Sequence, residues 1–334
     1  MNSSMWGENE TKHFYSLDPS TILKAVDKLG FRSTGRCLAL NSLENRVYEV
    51  EIERNEEEIK SPSDAFVIVK FYRPGRWTRE QILEEHQFLL ELKEAEIPVI
   101  APFVINGSTL FEDTSNSLFY ALFPKQGGRI PDEFSPDDLM QLGRLMARMH
   151  QIGRKYKASH RLTITPEIYG LRNLEFLLTS GKIPRHLEKD YESVVKDICA
   201  EASKRFQNKL IQRIHGDCHK GNILSGRDGF FLVDFDDMVM GPPVQDTWLI
   251  LPGRDQDSII DRDILLEGYS SMLDFDYSSL NLIEPLRALR FIHFSSWIGK
   301  RFEDESFKRA FPFYGSDQYW QDQIHDLRDQ INFF

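Results

Sequence analysis

The spacing of apolar residues changes along this chain, and that change limits the folds it can adopt. Up to Pro124 most apolar runs are short and rich in β-branched and aromatic residues, which predicts strands at 37–40, 47–52, 66–72, 109–112 and 118–123. Residues 78–95 instead repeat apolar side chains at helical spacing, and this spacing dominates after Asp137 apart from a strand-like island at 210–234. The pattern predicts an α+β protein with a β-rich first part and a mostly helical remainder.

The chain is long enough for two lobes. It has 334 residues, of which 41% are hydrophobic, so each part can bury a core of its own. Gln126-Gly127-Gly128-Arg129 follows the last strand of the β-rich part and is typical of a linker. We therefore predict an N-lobe at residues 1–125 and a C-lobe at residues 126–334.

Charge and cysteine usage narrow the classes of partner. Acidic residues outnumber basic ones by 52 to 41, giving a formal net charge of −11, which disfavours nucleic acid and anionic membranes as main partners. No apolar run reaches the roughly 18 residues that a membrane span needs. The three cysteines lack metal-ligand spacing. We expect a cytoplasmic protein and, in the absence of a coiled-coil pattern, a monomer.

The strongest chemical signal lies in the strand-like island. It reads Ile214-His215-Gly216-Asp217, with Asn222 five positions after Asp217, and Asp234 closes the following strand. Phosphoryl transfer needs an acceptor-only group near the attacking hydroxyl and oxygen ligands for Mg²⁺, and kinases place Asp, Asn and Asp in this order. Turn-forming residues and a packed core histidine would explain each position separately, but not their spacing. The pattern predicts an ATP- and Mg²⁺-dependent kinase.

A lysine in the β-rich part is a candidate for binding the phosphates of ATP. Lys70 lies in the apolar run 66–72, as does the strand lysine that pairs the α- and β-phosphates of ATP in kinases. A buried lysine needs a carboxylate partner. Glu85 on the predicted helix 78–95 is the first choice, because it precedes the apolar face, and Glu84 is the alternative. An edge-strand lysine reaching to water is the simpler interpretation of Lys70 taken alone.

The end of the last predicted strand is where adenine is expected to bind. Phe123, with Tyr120 and Leu122 near it, is the candidate lining of that pocket, although any one of them is equally well explained as core.

Taken together these motifs resemble the aminoglycoside phosphotransferase/choline kinase superfamily. Within it, nearly the whole chain resembles the stress response kinase A family of bacterial serine/threonine protein kinases. The segments that carry the resemblance are 40–48, 69–74, 81–88, 214–224, 233–237 with Gly241-Pro242 and Asp246, and 285–290.

The resemblance implies a bilobal protein-kinase-like fold and a cytoplasmic kinase that phosphorylates protein Ser/Thr hydroxyls, autophosphorylates and acts in the stress response. It implies that Asp217 is the proton acceptor and that Asn222 and Asp234 are the Mg²⁺ ligands. It also implies that Ser42 belongs to the ATP site, and that Asp246 is a buried aspartate that braces the catalytic loop.

Two departures from ordinary protein kinases are visible. The phosphate-covering segment 41–45 has no glycine, so the Ser42 hydroxyl and the Asn45 amide are expected to supply donors to the phosphates. Gly241-Pro242 follows Asp234 almost at once, which leaves no room for a long activation loop. His219 shows no metal partners. Arg287 and Arg290, one helical turn apart, could form a basic patch for a phosphoprotein, but a solvated helix face is the simpler explanation.

Two alternatives stay open. A small-molecule kinase acting on an amino alcohol, a sugar or an aminoglycoside would use the same motifs, with Asp236 and Asp237 attracting a cationic substrate or Asp236 serving the metal. A pseudokinase scaffold is disfavoured, because Lys70, Asp217 and both metal-ligand candidates are present.

Overall fold

The structure, a computed structural model, describes residue 14 and residues 17–55, 57, 59–226 and 229–334. The chain forms two compact units. The first unit runs to Glu133 and includes Lys220–Asp236, and the second comprises Phe134–His219 and Asp237–Phe334. The predicted lobes, 1–125 and 126–334, differ from these units at 126–133 and 220–236.

The first unit is built on a five-stranded antiparallel sheet with strand order β1-β2-β3-β5-β4. Its strands are β1 (Ser33–Leu40), β2 (Arg46–Ile52), β3 (Phe66–Phe71), β4 (Phe111–Asp113) and β5 (Leu118–Pro124). The strands predicted from the apolar runs are all present, with bounds shifted by a few residues. β3 is central, because β2 pairs with one of its edges and β5 with the other.

The two faces of this sheet have different neighbours. Val67, Val69 and Phe71 of β3 point into a core shared with helix α1 (Pro19–Asp27). Because side chains alternate across a strand, Lys70 lies on the opposite face. The central strand therefore presents an ammonium group on the face that does not pack against α1.

Helix α2 (Arg79–Glu94) begins with a capping box. The Thr78 hydroxyl accepts the N–H of Gln81, and the Gln81 side chain accepts the N–H of Thr78. Its buried positions are Ile82, Glu85, His86, Phe88, Leu89 and Leu92. One acidic side chain, Glu85, thus lies inside the otherwise mainly apolar buried stripe.

Four short strands flank the motif residues: β6 (Gln212–Ile214), β7 (Ile223–Gly226), β8 (Gly229–Leu232) and β9 (Val239–Gly241). The β7–β8 hairpin belongs to the first unit. The Leu232 N–H donates to the Pro98 carbonyl at 3.0 Å, and Arg129 and Ser225 exchange backbone hydrogen bonds of 3.1 and 2.8 Å. The predicted linker 126–129 therefore lies inside the first unit, because Arg129 is paired with this hairpin.

The second unit is mainly helical. Its helices are α3 (Pro136–Gly153), α4 (Arg172–Thr179), α5 (Glu188–Arg205), α6 (Val244–Ile250), α7 (Gln256–Ser270), α8 (Ile283–Arg301), α9 (Glu305–Ala310) and α10 (Asp317–Ile331). Apolar residues at helical spacing in 137–154, 187–206, 259–273 and 286–301 predicted α3, α5, α7 and α8. This spacing missed α4, α6 and α9, which are short, and α10, whose buried stripe is narrow.

Helices α3 and α7 approach each other at two glycines. A Cβ at Gly143 would collide with the Leu265 carbonyl oxygen, and one at Gly268 would collide with the Met140 carbonyl oxygen. Glycine at both positions permits a backbone contact that larger residues would prevent.

The predicted α+β architecture is confirmed: a β-rich first part precedes a helical one. A strand (β9) and a helix (α6) follow Asp234 within sixteen residues, so the prediction that no long activation loop is present is also confirmed. None of the helices in the described part of the chain has the length and apolarity required to cross a membrane.

Candidate active site

Lys70 is held in the first unit by two carboxylates. Its side chain is 11% exposed, and its Nζ lies 2.8 Å from Asp236 Oδ1 and 3.5 Å from Glu85 Oε1. The sequence left Glu84 and Glu85 open as partners, and the structure places Glu85 there, 1% exposed on α2. The interpretation of Lys70 as an edge-strand lysine that reaches to water is therefore wrong, because β3 is central and the amine is paired.

The electrostatics of Lys70 follow from these contacts. Burial opposes its charge, but Asp236 and Glu85 outweigh burial and raise the pKa of Lys70 well above its ordinary value. The lysine is therefore protonated throughout the physiological range. A fixed ammonium group at the centre of a sheet is suited to binding phosphate oxygens.

Asp236 is a residue whose position the sequence did not predict. Its carboxylate is 3% exposed and forms ion pairs with Lys70 and with Arg76. The interpretation that Asp236 attracts a cationic substrate is wrong, because its carboxylate is buried against side chains of the first unit. Arg76 follows the strand-like run 66–72 in a Pro-Gly turn, where the sequence gives no sign of a buried partner.

The glycine-free segment 41–45 is held by side chains. Arg73, 4% exposed, donates from Nε to the Glu44 carbonyl at 2.9 Å and from Nη2 to the Leu43 carbonyl at 3.2 Å. The Ser42 hydroxyl accepts the Asn45 N–H at 3.3 Å, and the Asn45 side chain accepts the Arg73 N–H at 3.1 Å. The expectation that the Asn45 amide binds phosphate is thus wrong, because that side chain is 4% exposed and supports the Arg73 backbone. Ser42 remains half-buried at the tip between β1 and β2.

Asn222 and Asp234 lie close together along the β7–β8 hairpin. The Val233 N–H donates to the Asn222 carbonyl at 3.0 Å, so Asp234 comes one residue after that contact. Asp234 is exposed and has a φ of 61°, a left-handed conformation that few aspartates adopt and that often marks a functional residue. A carboxylate and a carboxamide oxygen fit Mg²⁺, which is usually held by few protein ligands and completed by water and phosphate.

Phe123 lies on the Lys70 face of the sheet, since it pairs with Ile68 in the β3–β5 ladder. Its ring packs edge-on against the buried His86 ring, with a centroid distance of 6.0 Å. Tyr120 and Leu122 point into the α1 core instead. The suggestion that all three line one pocket is therefore wrong, because neighbouring strand positions face opposite sides.

In the second unit, His215, Gly216 and Asp217 form a tight turn. The Asp217 N–H donates to His215 Nδ1 at 3.3 Å, and Gly216 has a φ of 86°. A Cβ at Gly216 would collide with the Asp237 carbonyl oxygen. The motif requires glycine here for both conformation and space.

Asp246 braces this turn. It is fully buried and accepts the N–H of His215 and the N–H of Gly216, each at 2.8 Å. His150 Nε2 lies 3.0 Å from the same carboxylate. The bracing contact that the resemblance implied for Asp246 is confirmed by these bonds.

A guanidinium and an imidazole flank the Asp217 carboxylate. Arg290 Nη2, on α8, lies 2.7 Å from Oδ1, and His219 Nε2 lies 3.5 Å from Oδ2. The interpretation of Arg290 as a solvated helix face is wrong, because its guanidinium contacts the candidate proton acceptor. The sequence offered no signal for this pairing, since the two residues lie on distant segments.

The geometry within each unit suits one part of phosphoryl transfer. The first unit gathers Lys70, Glu85, Asn222 and Asp234, which are groups for anionic phosphates and a hard cation. The second unit holds Asp217, a carboxylate 22% exposed and oriented by a cation and a braced turn.

Comparison with known proteins supports this chemistry. The model of the phosphotransferase enzyme family matches residues 37–283. The chain is 37% identical over 323 residues to stress response kinase A of Escherichia coli (strain K12), covering 96% of this chain and 95% of that protein. It is 35% identical over 318 residues to the serine/threonine protein kinase RdoA of Salmonella typhimurium (strain LT2), covering 95% and 93%.

A solved structure shares the fold. Amicoumacin kinase hAmiN, in complex with AMP-PNP, Ca²⁺ and Ami, superposes with a TM-score of 0.71 at 19% identity, over 96% of this chain and 99% of that one. At this low identity the likeness is one of fold.

Proposed function

The chain belongs to the phosphotransferase enzyme family and, within it, to the group of stress response kinase A, and we propose that it is a serine/threonine protein kinase. Its membership makes it an ATP-dependent kinase. The proposal that protein hydroxyls are the phosphate acceptors draws on the name of the RdoA relative. The observation that carries the nucleotide role is the buried Lys70–Glu85 ion pair, in the same unit as Asn222 and Asp234.

Each site residue has a proposed role. Lys70 binds the α- and β-phosphates of ATP, and Glu85 orients its ammonium group. Ser42 covers the phosphates, and Phe123 lies beside the adenine. Arg73 keeps the segment around Ser42 in one conformation.

Asn222 and Asp234 would hold Mg²⁺, which would supply positive charge to neutralise the phosphates. Asp217 accepts the proton of the acceptor hydroxyl and orients its oxygen for attack. Arg290 positions the Asp217 carboxylate through their 2.7 Å contact. Most of the rate enhancement then comes from positioning and charge stabilisation.

We further propose that the protein acts as a cytoplasmic monomer, autophosphorylates and takes part in the stress response. The name of the Escherichia coli relative supports the last point. Control does not rest on a long activation loop, since β9 and α6 follow Asp234 directly.

Asp217→Ala is the decisive variant. We expect phosphate transfer from labelled ATP to protein substrates to be lost, while binding of a fluorescent ATP analogue is retained, because Asp217 lies outside the Lys70 cluster. Asp190→Ala, at an exposed aspartate of α5, is the matched control and should transfer normally. Undiminished transfer by Asp217→Ala would refute the role of Asp217.

The acceptor class is tested separately. Wild-type protein is offered protein substrates and, in parallel, amino alcohols, sugars and aminoglycosides. Labelling of proteins alone supports the proposal. Labelling of small alcohols alone would make the chain a small-molecule kinase.

A further inference from the structure

Asp236 has no part in the roles above, although its carboxylate lies beside the lysine proposed to bind phosphate. In the Asp-Phe-Gly motif of protein kinases, glycine stands two positions after the metal-binding aspartate. Here Asp236 stands two positions after Asp234, and its buried side chain lies 2.8 Å from Lys70 Nζ. The chain therefore carries a buried negative charge at a position where ordinary protein kinases have no side chain.

Asp236 belongs to a series of ion pairs, here called the charged cluster, whose members are Lys70, Arg73, Arg76, Glu44, Glu85 and Asp236. Asp236 bridges Lys70 and Arg76. Arg76 Nε lies 3.7 Å from Glu44 Oε1, and Arg73 Nε lies 3.3 Å from the same oxygen. Lys70 Nζ also lies 3.5 Å from Glu85 Oε1. All six residues belong to the first unit, and none of their side chains is more than 12% exposed.

The formal charges of the charged cluster cancel, because its three cations face three carboxylates. Asp234 adds a fourth carboxylate that acts on the same amine. Burial lowers the pKa of Lys70, but Asp236, Glu85 and Asp234 together raise it well above its ordinary value. The charged cluster and Asp234 therefore carry no net positive charge with which to attract the phosphates of a nucleotide.

This balance disfavours free ATP, which carries about four negative charges near neutral pH. A buried cation attracts an added anion strongly only while its own charge is not already balanced. Resting on the proposed role of Lys70 at the phosphates of ATP, we propose that Asp236 makes nucleotide binding depend on the divalent cation, because its carboxylate neutralises Lys70 and Arg76. The site then selects the metal–nucleotide complex and discriminates against free ATP. Asp236 is thus a specificity-determining residue of the nucleotide site.

A purely structural role for Asp236 predicts a different result. If its carboxylate only held Lys70 and Arg76 in place, its loss would weaken ATP binding both with and without metal. If its charge sets the metal dependence, its loss leaves the charged cluster with one net positive charge and strengthens the binding of metal-free ATP. The sign of the change in metal-free affinity therefore separates the two roles.

The test measures the Kd of a fluorescent ATP analogue for the full-length protein, once in EDTA and once with Mg²⁺. Wild type should bind the analogue at least about tenfold more tightly with Mg²⁺. Asp236→Asn should lower the Kd in EDTA about tenfold, because one charge about 6 Å from a phosphate contributes roughly this much at an intermediate dielectric constant. The Kd with Mg²⁺ should change by less than about threefold, because the complex contains both the cation and the anions.

Three variants make the result specific. Asp236→Glu keeps the charge and should retain the metal dependence of wild type. Arg76→Met combined with Asp236→Asn removes one charge of each sign, so the Kd in EDTA should return close to the wild-type value. Glu53→Gln removes a carboxylate of the same unit that pairs with the exposed Arg32 at 3.2 Å, and should match wild type under both conditions.

Glu44→Gln tests the charge balance at a second position and decides the question if Asp236→Asn does not fold. Glu44 is the most exposed member of the charged cluster, and its loss makes the same change of formal charge. It should also tighten metal-free binding, by a smaller factor, because Glu44 is joined to Lys70 through Arg76 and Asp236. In that case an unchanged or higher Kd in EDTA for Glu44→Gln would overturn the proposal.

The outcomes also distinguish this proposal from the proposed function. An unchanged or higher Kd in EDTA for a folded Asp236→Asn, or equal binding by wild type with and without Mg²⁺, would overturn the role of Asp236 and leave the kinase function intact. Wild type that binds the analogue under neither condition would overturn the role of Lys70 as well.

Discussion

Replacing Asp246 by Asn tests how the turn that carries Asp217 is held. The carboxylate is fully buried and accepts two backbone N–H groups, those of His215 and Gly216, while His150 Nε2 lies at the same oxygen as His215. Asn replaces one oxygen by a donor. Whichever oxygen is lost, one backbone N–H then faces an N–H₂ group.

The cost follows from these contacts. A hydrogen bond to a charged group contributes about 1.5–3 kcal/mol, and leaving a buried donor unpaired costs a similar amount, so we expect a loss of about 2–4 kcal/mol. His150 limits the loss, because its imidazole can change tautomer and accept from the new amide. For a chain of this size the thermal midpoint should fall by roughly 3–6 °C.

The assays are thermal unfolding and steady-state phosphorylation. Because the turn positions Asp217, we also expect kcat to fall by about a hundredfold, the usual effect of a misplacement of about 1 Å. Asp255→Asn is the matched control: its carboxylate also accepts a backbone N–H, that of Ser258, but it is an exposed helix cap where Asn serves equally well. An unchanged midpoint and kcat in Asp246→Asn would refute the bracing role.

Three further predictions concern charge and backbone. Lys70→Met leaves buried carboxylates without their ammonium, so it should abolish ATP-dependent transfer and cost about 3 kcal/mol in urea unfolding. Gly216→Ala forces a Cβ against the Asp237 carbonyl at a positive φ, and should lower kcat strongly and stability by about 2 kcal/mol. The unfolded chain protonates His293 near pH 6.5, whereas the folded chain does so only near 3, because burial and the neighbouring Lys300 lower the pKa of this residue. The stability conferred by the neutral ring is therefore present above pH 6.5 and lost as the pH falls toward 3. His293→Gln should reduce this acid-induced loss in the free energy of unfolding by about 1–3 kcal/mol, observed as a smaller fall of the thermal midpoint between pH 6.5 and pH 3.

Matched variants separate these effects from general damage. Lys125→Met removes a more exposed lysine paired with Glu49, and should cost less than about 1 kcal/mol. Gly30→Ala has the same strained φ, 88°, but no atom within 4 Å of the added Cβ, so it isolates strain from collision. If Gly30→Ala lowered stability as much as Gly216→Ala, the collision with the Asp237 carbonyl would contribute nothing to the effect of Gly216→Ala. Equal acid sensitivity of His293→Gln and wild type would contradict the linkage.

The sequence predicted features that depend on local periodicity. Strand alternation placed Lys70 in an apolar run, and helical spacing put Glu85 at the edge of a buried stripe, so their contact followed once both elements packed. Phe123 shows the limit of this reasoning, because grouping it with Tyr120 ignored the alternation that sends the two rings to opposite faces.

Contacts between side chains that lie far apart in the sequence could not be predicted. Asp236 and Asp217 are acidic residues in turn-like segments, and nothing near them in the sequence identifies the cations that they meet. Lys70 comes from a strand far upstream, and Arg290 from a helix far downstream. The role of Asn45 was predicted wrongly for the related reason that its side chain bonds to Arg73, which follows only after two further strands.

The inclusion of Lys220–Asp236 in the first unit has a consequence during synthesis. The β7–β8 hairpin bonds to Pro98 and Arg129, yet the ribosome must first produce the intervening stretch of the second unit. At about 5–20 residues per second, those roughly 90 residues take ~5–20 s. For that interval the nascent first unit carries Lys70 without Asp236, its nearest carboxylate, so its final charge pairing must form late, when much of the second unit has already left the ribosome.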